Sequence, residues 1–146
     1  MKKYTFERPI TKSHYEADAF ALRCFDNRYW GQFKDFVANK GLKELDTSSV
    51  AGGAKIFASP EKINDQDFML RELEKSILLH KTKKIMLFTH HDCGAYGGFA
   101  KFNQNLDLEF NFHINELNKA ASLIKTKFSN VKIETYFMDK IGIIEV

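Results

Sequence analysis

The chain has 146 residues, enough for one compact domain and short for two. Apolar residues make up 44% and aromatics 14%, which excludes an intrinsically disordered chain. The formal net charge is +3 with lysines and acids interleaved along the sequence, so no basic stripe marks a nucleic-acid face.

The first residues, Met1-Lys2-Lys3-Tyr4-Thr5-Phe6-Glu7-Arg8, are basic but lack the apolar stretch of a signal peptide. No apolar run approaches the ~20 residues that span a bilayer, so no membrane association is expected. Both features point to the cytoplasm. There the only two cysteines, Cys24 and Cys93, read as metal ligands or reactive thiols rather than a disulfide.

Residues 1–15 read as an arm or short helix packed on the domain. Residues 18–25 make a first strand. Residues 28–40 follow with Trp30, Phe33, Phe36 and Val37 at helical spacing and Gly41 as the stop. A weaker strand runs from Leu45 to Ala51 and ends in Gly52-Gly53. Asn64 or Asp65 caps the next helix, which runs to about His80 with Phe68, Leu73 and Ile77 on its apolar face. The run Lys84-Ile85-Met86-Leu87-Phe88 opens a buried strand over 84–90. Residues 94–112 read as a short helix and a loop. Ile114, Leu117, Ala121, Ile124 and Phe128 then mark an amphipathic helix. Val131 to Met138 is a fourth strand, and Asp139 to Gly142 turn the chain into a last short strand, 143–146. Strand and helix alternate, which predicts an α/β domain over residues 1–146 with a mainly parallel sheet and helices on its faces. Such sheets carry their sites at the carboxyl ends of the strands.

Chemistry-bearing residues collect at two such ends. Cys24 stands at the end of the first strand, and His90 and Cys93 stand where the third gives way to a glycine-rich turn. Two thiolates and one imidazole make a donor set for zinc, with a fourth position open for water or substrate. Asp26 lies two residues past Cys24, and Arg28 two further on. An aspartate there can accept a hydrogen bond from a metal-bound water or take the fourth position itself. An arginine can hold that carboxylate in a bidentate pair and keep it off the metal. His91 stands beside the site as a candidate proton shuttle, against a half-exposed histidine without a role. Gly94, Gly97 and Gly98 read as the bend that lets His90 and Cys93 face one ion.

Cys24-x-Asp26-x-Arg28, followed downstream by His90-x-x-Cys93-Gly94, resembles the β-class carbonic anhydrases. The resemblance extends from about residue 18 to 146, through Val50-Ala51-Gly52-Gly53 and the closing Tyr136 to Gly142. It implies a four-stranded parallel core in the order 2-1-3-4, with an antiparallel hairpin strand after it and zinc between strands 1 and 3. It implies Cys24, His90 and Cys93 as ligands of Zn2+, and Asp26 with Arg28 as a catalytic pair. It implies reversible hydration of carbon dioxide to bicarbonate by a zinc-bound hydroxide, in a homodimer or higher homo-oligomer whose sites lie near the subunit interface. The sequence departs from many relatives at Ser49-Val50, where they carry Arg-Asn, and at Tyr29 to Gln32, where they carry a proline. It also lacks their long N-terminal helical arm. Three other readings stay open: hydrolysis of a related linear molecule such as carbon disulfide, a zinc domain without turnover, and a metal-free Cys24–Cys93 redox pair.

Overall fold

The computed structural model describes residues 1–146, and its strands fall on the apolar runs: β1 (Ala19–Arg23), β2 (Leu45–Ser49), β3 (Lys84–His90), β4 (Lys132–Met138) and β5 (Ile143–Glu145). They form one sheet in the order β2-β1-β3-β4-β5, the first four parallel and β5 antiparallel to β4. The helices are α1 (Trp30–Asn39), α2 (Lys55–Ala58), α3 (Ile63–His80) and α4 (Leu106–Lys127). No helix is long and apolar enough to cross a membrane.

Side-chain alternation splits the interior in two. Ala19, Ala21, Met86, Phe88, Tyr136 and Met138 face α1 and pack on Phe33 and Val37. Phe20, Leu22, Ile85 and Leu87 face the other way, onto Phe57, Met69, Leu73, Leu117 and Ile124 of the remaining helices. With both faces covered, β3 needs apolar residues at every position, which is why Ile85 to Phe88 forms an unbroken run. Each fully buried side chain of this size contributes ~1.5–3 kcal/mol.

The helix ends explain where the sequence reading drifts. α1 stops as expected: Gly41, at φ 71°, follows the last turn and its N–H reaches the Ala38 carbonyl. α3 begins at Ile63, so Asn64 and Asp65 lie inside it and its N-cap, Lys62, makes no side-chain cap bond. Phe68 is exposed there, while Leu73 faces the core and Ile77 packs against it as expected, with Met69 and Ser76 buried alongside. The arm is not a packed helix: residues 1–14 are exposed and carry no helix, and they meet the domain only near their end, where Lys12 pairs with Glu44 and His14 lies beside His80. α4 starts eight residues before Ile114. Asn105 caps it by accepting from the N–H groups of Asp107 and Leu108 at 3.0 and 3.1 Å. Its buried face carries Glu109, His113 and Glu116 among the apolar residues, which hides the helical period from a hydropathy pattern.

Candidate metal centre

Cys24 follows β1 directly and His90 closes β3. These strands are parallel neighbours, so pairing alone carries both residues to the same edge of the sheet. The ligand atoms of Cys24, His90 and Cys93 lie within 4.8 Å of one another, and all three residues are buried. A crossover after β2 closes over this edge. Gly53 has φ 58°, and a Cβ there would stand 2.3 Å from the Phe88 carbonyl oxygen and 2.8 Å from the Cys24 nitrogen, so the backbone accepts only glycine. Gly52 donates its N–H to Cys24 Sγ at 3.4 Å.

The bend between His90 and Cys93 is made by Asp92, at φ 54°, and not by the glycines that follow. Aspartate tolerates this left-handed conformation better than most residues. Gly97 and Gly98 take positive φ in the next turn, and Gly94 does not. Reading the glycines as the bend was therefore wrong by two residues.

His90 is oriented by its own chain. Its Nδ1 lies 2.8 Å from the His91 carbonyl, which can only accept, so Nδ1 carries the proton and Nε2 presents a lone pair. That Nε2 is buried without a hydrogen-bond partner and faces the two thiols. Tyr29 packs tilted against the ring at 4.5 Å between centroids and donates its hydroxyl to the same His91 carbonyl at 3.0 Å. The neighbouring Cys93 thiol, with His90 and the Gly52 N–H, pulls the Cys24 thiol well below the usual thiol range, while Cys24 and burial push the Cys93 thiol up. Cys24 is thus the thiol that gives up its proton first, and a bound cation would draw off the second. An orphaned imidazole nitrogen and two convergent sulfurs fit a metal ion, and three such donors leave a fourth position free.

Asp26 and Arg28 stand at the rim. Asp26 Oδ2 is 3.9 Å from His90 Nε2. Arg28 engages both Asp26 oxygens, through Nε at 3.1 and 3.0 Å and Nη2 at 2.7 Å, and its backbone N–H adds a bond of 3.0 Å. These bonds hold the Asp26 carboxyl down at about 2, so it is ionised near neutral pH. The other side of the guanidinium is held by Asp92, through Oδ2 and the backbone carbonyl, both at 3.0 Å.

His91 does not line the solvent side. It is buried, with Nδ1 2.5 Å from Glu109 Oε2, which removes both the shuttle and the half-exposed readings. Gln32 donates to the Asp139 carbonyl at 2.8 Å. Phe33 and Phe36 pack edge-on to Phe88 and so belong to the core rather than to a pocket wall. The sequence reading missed Asp92 and Glu109. Asp92 could have been noticed as the one acidic residue between His90 and Cys93. Asn105 followed by Asp107 and Glu109 is a helix-start signal that brings Glu109 onto α4.

The comparisons agree with this architecture. Residues 15–146 match the sequence model of a family described as "Putative carbonic anhydrase". An uncharacterized protein of Rickettsia conorii is 31% identical over 139 residues, covering 89% of this chain and 72% of the relative. Among solved structures, β-carbonic anhydrase isoform I of Trichomonas vaginalis superposes with a TM-score of 0.61 at 14% identity, covering 95% of this chain and 87% of that one. The apo form of a carbon disulfide hydrolase gives 0.54 at 15%, over 86% and 76%. At these identities the structural likeness is one of fold.

Proposed function

The chain is a divergent member of the β-carbonic anhydrase family, and from that premise we propose that it binds Zn2+ through Cys24, His90 and Cys93 and hydrates carbon dioxide reversibly to bicarbonate. One observation carries the reading: the three donors converge within 4.8 Å, with His90 Nε2 orphaned, beside an Asp26–Arg28 pair that a structural metal site has no use for. Zinc held here supplies a water of pKa about 7 and thus a nucleophile at neutral pH.

The chain's own groups do the rest. The His91 carbonyl keeps the proton on His90 Nδ1 and leaves Nε2 free to bind. Asp26, ionised, can only accept, so it takes a hydrogen bond from the attacking water's O–H and turns a lone pair toward the substrate carbon. Arg28 occupies both Asp26 oxygens and draws the carboxylate to the guanidinium rather than to the metal. Asp26 and Arg28 are partly open to solvent, which gives substrate and protons a direct route. The reading includes a cytoplasmic location, where both thiols stay reduced. It also includes a homodimer or higher oligomer, to which the exposed Tyr4, Phe6, Ile10 and Phe25 offer apolar surface.

The test is stopped-flow carbon dioxide hydration by the zinc-loaded protein, across about pH 6.5 to 9 so as to bracket the pKa of the acidified water. Activity that rises toward alkaline pH is the expected result. A fully loaded protein inactive over the whole range overturns the catalytic reading and leaves a zinc domain without turnover. The likeness to the carbon disulfide hydrolase favours a second reading, hydrolysis of that linear molecule at the same site, and sulfide release from carbon disulfide measures it.

A further inference from the structure

We propose that Glu109, on α4, is a positioning residue that sets the metal centre from outside it; the proposal rests on the zinc reading above. Glu109 is 1% exposed, and an interior carboxylate is costly unless both oxygens are engaged. Both are. Oε2 lies 2.5 Å from His91 Nδ1, and Oε1 accepts the Asp92 N–H at 2.7 Å.

The second bond is the informative one. The Asp92 N–H belongs to the same peptide unit as the His91 carbonyl. That carbonyl accepts from His90 Nδ1 at 2.8 Å and from the Tyr29 hydroxyl at 3.0 Å. A trans peptide is planar, with N–H and C=O pointing opposite ways, so fixing one fixes the other. Glu109 therefore fixes the acceptor that commits His90 to the tautomer with a free Nε2. Asp92, whose N–H the anchor holds, stands at φ 54° in the turn that brings Cys93 round to Cys24. Partners of this kind orient metal ligands without touching the metal, and their loss costs ~10–100-fold in affinity. Here the carboxylate acts through a peptide group rather than on the ligand's own ring.

Two variants separate positioning from mere packing of α4. E109A removes both bonds. E109Q keeps the shape and an oxygen for the Asp92 N–H, but turns an amide donor toward His91. The readouts are Zn2+ affinity by chelator competition and the visible spectrum of the Co2+-loaded protein, with thermal unfolding of the metal-free forms reporting folding. E109A is expected to lose ~10–100-fold in Zn2+ affinity and to change its Co2+ bands. E109Q is expected to lose less while changing the bands in the same direction. Folded variants with wild-type Zn2+ affinity and unchanged Co2+ bands overturn the proposal, and E109Q alone decides it if E109A does not fold. A wild-type protein that binds metal but hydrates no carbon dioxide removes the catalytic reading and leaves this proposal standing. A wild-type protein that takes up no metal overturns both.

Discussion

At the amino ends of the strands, Asp46 accepts from the Tyr15 hydroxyl at 2.5 Å, from Ser76 at 2.6 Å and from His80 Nδ1 at 2.7 Å. At the carboxyl ends, Asp26 and Arg28 are equally well paired, but His90 Nε2 and both thiols converge on one point without satisfying one another as donors and acceptors. Both regions place a histidine beside a carboxylate. The first is a closed network that ties Tyr15 and the end of α3 to β2, and it has nothing left to offer a ligand. The second leaves lone pairs unspent in the interior, a cost of ~1–3 kcal/mol for a buried group that a bound cation would offset. An orphaned nitrogen is not sufficient in itself. His113 is fully buried with both ring nitrogens unpartnered, yet it sits among Tyr96, Phe102 and Phe137 and joins no group of three convergent ligand atoms. Convergence makes the difference.

The sharpest way to break the contrast is at the carboxyl end. Cys93→Ser replaces a thiolate by a hydroxyl that stays protonated near neutral pH, so it should abolish stoichiometric zinc binding in metal analysis and all carbon dioxide hydration. Asp26→Ala should keep the zinc and lose ~10²–10⁴-fold in turnover by stopped flow. Zinc lost along with activity would instead make Asp26 part of the binding site. Gly53→Ala adds a Cβ against the Phe88 carbonyl and the Cys24 nitrogen. It should cost ~2–3 kcal/mol in urea unfolding, and a neutral result would mean that the crossover shifts freely to make room for the Cβ.

His113 tests whether an orphaned nitrogen away from the ligands is only a liability. Burial holds its imidazole down at about 3, against an ordinary value near 6.5, so it is neutral when folded. Below about pH 6.5 the unfolded chain binds a proton that the folded chain refuses, and stability falls as the pH drops toward 3. His113→Phe should therefore remove up to ~2 kcal/mol of the loss between pH 7 and pH 5 in urea titrations of the metal-free protein. An unchanged pH slope would mean that His113 is protonated in the folded state. The smallest effect belongs to the closed network. Tyr15→Phe deletes one of three donors to Asp46 and should cost ~0.5–1.5 kcal/mol with zinc affinity unchanged.

Much of the fold was legible because its signals are local. Ile85 to Phe88 is an unbroken apolar run, Gly41 stops α1, and Asp139 to Gly142 turns β4 into β5. The convergence of Cys24, His90 and Cys93 was legible too, since each stands at a strand's carboxyl end and parallel pairing does the rest. What escaped was every polar group buried by a distant partner. Glu109 and His113 broke the apolar pattern of α4 and delayed its expected start, and His91 read as a shuttle or a half-exposed side chain because Glu109, which binds it in the interior, lies eighteen residues away on another element.

By itself, then, the sequence determined which candidate metal-ligating residues there are and on which strand ends they stand, because side-chain type and strand periodicity are properties of short segments. Only the tertiary structure decided how that chemistry is held: the left-handed turn at Asp92, the Glu109 carboxylate behind it, and the division of Arg28 between Asp26 and Asp92. Those depend on hydrogen bonds whose partners are far apart in the chain, and no local pattern reports whether a buried polar group will find one.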